Sequence, residues 1–288
     1  MEYWFILAIL VALLWGSAGI FAKYSTPRLG VARVALLIAA VEGPMYALAF
    51  MVWSQSVHVS LEDAIIAVTS CLVGVIGYLC FFESIMEGQV AIAGTISAAY
   101  PALTVLGAYL ILSESLTLVQ SIGVVAIVGG VIALSYEPEP GTSRSLNKRS
   151  LVFALAAFAL WGLWSLTSKI AVDRVTAGNV FGFYVISSFT APLLYVFFRR
   201  GSIDSKARPG RMAWAMGAVA LAVNVSGTYA YTYALQEGTA SLVVPISSAY
   251  PIVTVVLAIA FLRERINRLH ASSLGVVVLG LLLIGVTL

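Results

Sequence analysis

Apolar residues in this chain come in blocks of about 20, the length at which an α-helix crosses a hydrocarbon core of ~30 Å. Ten such blocks follow one another, near residues 4–22, 30–52, 63–82, 90–112, 117–135, 151–170, 178–198, 211–233, 241–262 and 269–287. They predict ten transmembrane helices joined by short connections, with no room for a soluble domain. The first block opens Met1-Glu2-Tyr3-Trp4, without a basic leader, and stays apolar to Ala22. That exceeds the about 7–15 apolar residues of a secretory signal, so it reads as a span. The longest polar stretch runs from Tyr136 to Ser150. As a linker (136–150) it divides the chain into residues 1–135 and 151–288, with five spans on either side.

The two halves repeat each other. Trp15-Gly16 followed by Lys23 recurs as Trp161-Gly162 followed by Lys169. The segment Glu87–Glu114 aligns without gaps on Glu237–Glu264, with twelve of 28 pairs identical, among them Ser97/Ser247, Tyr100/Tyr250, Pro101/Pro251 and Thr104/Thr254. Two apolar helices match by chance at Leu and Val, but not in a shared Ser-x-x-Tyr-Pro and two shared Glu. An odd number of spans per repeat turns the second copy upside down in the membrane. The basic residues agree: fourteen of the 16 Lys and Arg follow odd-numbered spans, and only Lys169 and Arg174 lie on the other face. The positive-inside rule then places both termini outside the cytoplasm.

Composition narrows the function classes. Hydrophobic residues make up 61% and charged residues 10% of the chain, with a mean hydropathy of +1.00. Soluble domains carry about 25% charged residues, so a water-soluble enzyme is excluded. The net charge of +3 sits in loops and signals no nucleic-acid partner. Cys71 and Cys80 are nine residues apart in one apolar run; on a helix that is roughly 13 Å of rise, too far for a disulfide. The only histidines, His58 and His270, form no metal-spaced cluster. No nucleophile elbow, Walker loop or dinucleotide fingerprint occurs, so neither an enzyme nor a cofactor is expected.

Inverted repeats with helices broken at corresponding places are the sequence pattern of a secondary transporter's binding site. Pro101 and Pro251 lie mid-span, and each frees the carbonyl four residues earlier, on Ser97 and Ser247. Ser97, Tyr100 and Thr104 share one helix face, and Ser247, Tyr250 and Thr254 repeat that stripe from the opposite side. The stripes either line a shared cavity or back-bond to their own helices. Pro44 and Pro192 occupy matching places in spans two and seven, as hinges or as static kinks.

Glu42 lies just before Gly43-Pro44 in the middle of span two, with Thr190 at the matching place in span seven. An ionised group at that depth costs at least about 2.5–3.5 kcal/mol. Glu42 is therefore a coupling or substrate-binding carboxylate, or a neutral carboxyl bonded to a neighbouring helix. Trp15, Trp161 and Trp164 sit away from the interface, to stack on a substrate or to pack. Asn224, deep in span eight, requires a hydrogen-bond partner. Glu83, Glu87 and Glu237 lie near an interface, and Glu114 and Glu264 suit positive helix N-termini. Ala8, Ala12 and Gly16 form a stripe of small residues that lets another helix approach.

The early Trp-Gly followed by Lys, Arg33 opening span two, and the paired Tyr-Pro…Glu blocks resemble the EamA-type transporters of the drug/metabolite transporter superfamily. The resemblance covers both halves. It implies an all-α basket of ten helices around a central cavity in the cell membrane, working by alternating access. It also implies export of a small metabolite such as an amino acid, often proton-linked; the expected partners of the chain are that solute, protons and the lipid bilayer, with the protein a monomer or homodimer. Multidrug efflux is the alternative within transporters. A passive channel for small solutes is the alternative of another class.

Overall fold

The computed structural model describes residues 2–87, 90–135, 148–199, 209–262 and 268–287. Among them every regular element is helical: α1 Tyr3–Leu29, α2 Val31–Leu37, a π-helical turn Ile38–Glu42, α3 Gly43–Trp53, α4 Leu61–Glu87, α5 Val90–Ala98, α6 Tyr100–Ile111, α7 Leu118–Ser135, α8 Lys148–Val175, α9 Ala177–Phe198, α10 Arg211–Glu237, α11 Ala240–Ser247, α12 Tyr250–Leu262 and α13 Arg268–Val286. Residues 136–147 of the polar linker, with Arg200, Lys206, Arg208, Arg263, Glu264 and Arg265, lie outside the described residues.

Nine stretches among the described residues are long and apolar enough to cross a membrane. The remaining expected span, 211–233, is covered by α10, whose 27 residues reach about 40 Å. Its Asn224, Ser226, Thr228 and Thr232 dilute its apolar character. The protein is a multi-pass membrane protein. Its lipid-facing surface is apolar, with residues such as Ile6, Leu48, Leu110, Val125 and Leu282 exposed. In lipid such a surface needs no cover.

Spans two, four and nine are interrupted. Span four divides into α5 and α6 just before Pro101, and span nine into α11 and α12 just before Pro251. Span two passes through the π-helical turn that ends on Glu42, and Pro44 stands in the first turn of α3. Span seven differs: α9 runs unbroken through Pro192.

The main helix pairs cross between the repeats. α4 lies along α8, α1 along α10 and α12, α3 along α9, and α7 along α13. These pairings obey a pseudo-two-fold relation, which the close approaches repeat in detail. A Cβ on Gly16 would stand 2.5 Å from Val253 Cβ, and one on Gly162 would stand 2.9 Å from Leu103 Cβ. Thr254 Oγ1 donates to Gly16 O at 2.9 Å, as Thr104 Oγ1 does to Gly162 O at 3.3 Å. The small stripe of α1 is used in this way: Ala8 and Ala12 are buried and Gly16 receives α12.

Even the corners match. Gly30 joins α1 to α2 with φ +74°, ψ 159°, and Thr176 joins α8 to α9 with φ +70°, ψ 154°.

Candidate functional site

The interrupted helices bring two aromatic constellations to the protein's centre. In one, Trp15 of α1 meets Tyr250 edge-to-face at 6.2 Å and its ring lies over Gly227 of α10. In the other, Trp161 of α8 meets Tyr100 edge-to-face at 5.9 Å and lies over Gly77 of α4. Glycine is needed at both places, because a Cβ there would stand 2.5 Å from Trp15 Cδ1 or 2.8 Å from Trp161 Cδ1. Trp164 and Tyr231 join the first constellation. Their rings stack at 5.0 Å, and Tyr231 lies 5.2 Å from Trp15.

The paired hydroxyls divide by role. Thr104 and Thr254 are taken up by the interhelical bonds to Gly162 and Gly16, so they pack helices. Ser97 and Ser247 stand at the ends of α5 and α11, nearly fully buried, and neither Oγ has a hydrogen-bond partner. Unpaired buried hydroxyls normally cost stability. Here they sit beside the two breaks, at matching positions of the two repeats.

Glu42 is 5% exposed, and its Oε1 has no hydrogen-bond partner. The neighbour that approaches the carboxyl is the Asn224 side chain of α10, which answers the sequence's demand for a partner at Asn224. The backbone carbonyl of Asn224 accepts from Trp15 Nε1 at 3.2 Å. One residue thus links the carboxylate to the first aromatic constellation. The hydroxyls of Tyr46, Tyr78 and Tyr229 stand within electrostatic reach of Glu42. Of the sequence-selected residues, Glu42, Asn224, Trp15, Trp164 and Tyr250 form one continuous cluster, while Trp161 and Tyr100 form its counterpart. Pro44, Pro101 and Pro251 stand at the three breaks.

Several residues of the cluster were not singled out by sequence. Tyr231 is fully buried between Trp15 and Trp164, and Tyr184 accepts the Trp164 Nε1 hydrogen bond at 2.9 Å. Tyr46 stacks on Tyr184 at 4.7 Å. A signal for part of this existed: Tyr229, Tyr231 and Tyr233 crowd into five residues of one span.

Toward the face with few basic residues, Trp53, Phe181, Tyr229 and Tyr233 pack at centroid distances of 5.0 to 6.2 Å. Toward the basic face, Glu83 accepts hydrogen bonds from Tyr195 Oη and, at 2.8 Å, from Arg199 Nη2. Glu114 does bind a helix N-terminus, but that of α11 in the other repeat. Its carboxylate accepts from Ala240 N at 2.9 Å and Ser241 N at 2.8 Å. An apolar groove of about 390 Å³ between α1 and α13, lined by Phe5, Ile9, Val278 and Leu281, lies apart from all these residues. No group of three or more His, Cys, Asp or Glu among the described residues could hold a metal.

Comparison with known proteins gives these features a context. The model of the EamA-like transporter family matches residues 2–136 and again 148–286. A transporter of Archaeoglobus fulgidus, itself uncharacterised, is 24% identical over 229 residues, 79% of this chain and 78% of that protein. The uncharacterised transporter YojE of Bacillus subtilis is 25% identical over 147 residues, 48% of this chain and 47% of that one. An uncharacterised protein of Methanocaldococcus jannaschii is 29% identical over 136 residues, which are 47% of this chain but 98% of that protein. One solved crystal structure superposes with a TM-score of 0.78 at 18% identity, covering 99% of this chain and 96% of that one, a likeness of fold.

Proposed function

The chain belongs to the EamA-like transporter family, and from that premise we propose that it moves a small organic metabolite, such as an amino acid, by alternating access around Glu42. The observation that carries this reading is the buried Glu42 carboxyl at the π-helical interruption of span two, with Oε1 unpaired and the Asn224 amide and the hydroxyls of Tyr46, Tyr78 and Tyr229 around it. A membrane protein keeps such a group at a cost, and the cost is offset when the group takes up and releases a ligand or a proton in each cycle. The unpaired Ser97 and Ser247 hydroxyls and the facing aromatic rings supply hydrogen bonds and stacking surface for an organic solute.

The direction is export and the coupling ion is the proton, with Glu42 as the group that titrates. Both termini face away from the cytoplasm. Lys169 and Arg174, the two basic residues of the sparse face, pair with Asp173 and with Glu62 and Asp63, which leaves that face without net positive charge from them. A channel would need no paired interruptions in inverted repeats, and these favour rocking between two states.

The test begins with a thermal-shift screen of purified protein against amino acids, amines, sugars and nucleotides. The solute that stabilises most is then followed, radiolabelled, in liposomes with an imposed pH gradient. Glu42→Gln should abolish gradient-driven accumulation and retain exchange of labelled for unlabelled solute. Normal gradient-driven accumulation by this variant removes Glu42 from the mechanism. Flux that never saturates and shows no counterflow replaces the transporter by a channel.

A further inference from the structure

Two contacts between helix ends, at matching places of the two repeats and near opposite faces, are chemically unlike. At the basic face, α4 and α9 are joined through Glu83, which is 5% exposed and accepts from both Tyr195 Oη and Arg199 Nη2. Arg199 caps the C-terminus of α9. One residue further along α4, Ser84 and Ser150 exchange two hydrogen bonds of 2.9 Å, each hydroxyl donating to the other's carbonyl. That exchange binds α4 to α8. The end of α4 is thus held twice, by neutral bonds to α8 and by an ion pair to α9.

The offset of 150 that relates the Tyr-Pro blocks carries Glu83 onto Tyr233 of α10. At that matching place there is no carboxylate. Tyr233 meets Trp53 edge-to-face at 6.2 Å and Phe181 at 6.1 Å. At this end the corresponding contact of the other repeat, between α3 and α10, is made by the rings of Trp53, Tyr229 and Tyr233. Aromatic edges slide and part without leaving a charge behind. An ion pair with one buried member separates only if water replaces the partner.

We propose that Glu83, Tyr195 and Arg199 are the gate of the basic face, and that Trp53, Phe181, Tyr229 and Tyr233 are the gate of the other. The proposal rests on the alternating-access reading above. Opening at the basic face swings the end of α9 away from α4 and admits water to Glu83, while the Ser84–Ser150 exchange keeps α4 on α8. The charge of Glu83 is rehydrated when the pair separates, so this gate opens into a wet vestibule. Val41, a half-buried residue of the apolar cluster that also holds Phe82 and Tyr195, becomes reachable when the gate parts.

The experiment reads accessibility and needs no substrate, so it succeeds or fails independently of the transport assay. The full chain carries Cys71→Ala, Cys80→Ala and Val41→Cys, and a membrane-impermeant maleimide is added to vesicles of either orientation. Glu83→Gln and Arg199→Gln should each raise the labelling rate from the basic-loop side about tenfold, the scale expected for loss of a charge-assisted bond. Arg199→Lys should restore most of the slow rate. If Glu83→Gln does not accumulate in the membrane, Arg199→Gln against Arg199→Lys gives the same comparison at the half-exposed end of the tie. Unchanged labelling in the single variants would overturn the gate. Faster labelling in a protein that moves no solute would leave the gate standing and remove the transport reading.

Discussion

Replacing Thr176 by glycine should stabilise this protein, against the usual direction of single substitutions. Thr176 is the corner between α8 and α9, with φ +70° and ψ 154°. That backbone region is essentially confined to glycine, because a Cβ, and a β-branched one above all, collides with the chain. Strain of this kind costs about 1–3 kcal/mol. The Thr176 hydroxyl adds to it, since Oγ1 is buried without a partner, a further cost of about 1–3 kcal/mol. Against both stands the greater freedom of glycine in the unfolded chain, about 0.5–1 kcal/mol. The balance is a gain of about 1–5 kcal/mol. The protein supplies its own control, because the matching corner of the first repeat is Gly30, at φ +74°. A Cβ on Gly30 would meet nothing within 4 Å, so Gly30→Thr isolates the backbone cost without a packing clash. Thermal unfolding of the purified protein in detergent measures both. At about 2–4 °C per kcal/mol for a protein of this size, Thr176→Gly should raise the midpoint by several degrees and Gly30→Thr should lower it. A lower midpoint for Thr176→Gly would refute the assignment of strain to this corner.

Gly227→Ala should drive the Trp15 ring off α10 and break its bond to Asn224 O, since the new Cβ would stand 2.5 Å from Cδ1 and 2.6 Å from Nε1. Overpacking of about 1–3 kcal/mol should show as a lower unfolding midpoint with a shifted tryptophan emission, and an unchanged midpoint refutes it. Glu114→Gln weakens the acceptor for Ala240 N and Ser241 N; a loss of about 1–2 kcal/mol is expected, read by thermal unfolding, while hydrogen exchange at the start of α11 should rise. A cytoplasmically active reporter fused after Leu288 should be silent, and strong activity overturns the orientation drawn from the basic residues.

The helices themselves were legible along the chain for one physical reason. Hydrocarbon offers no hydrogen bonds, so each crossing must satisfy its own backbone, and about 20 apolar residues announce it. The duplication was legible as well, down to the interruptions beside Pro101 and Pro251, because proline acts on its own turn wherever the helix lies. Span two was only half readable. Pro44 announced an interruption, but nothing local specified the π-helical turn that ends on Glu42. Which helix lies against which was hidden. A helix that touches lipid on one side and another helix on the other is apolar all round, so periodicity does not mark the packed face. The pairing of α4 with α8 and of α1 with α10 was decided by small residues fitting large ones across the repeats, as Gly227 fits Trp15 and Gly77 fits Trp161. For the same reason Asn224 and Glu42 could each be recognised as costly in lipid, yet only folding could bring them together. The tie of Glu83 to Arg199 spans 116 residues. It exists because α4 and α9 end side by side at one face, which tertiary packing alone determines.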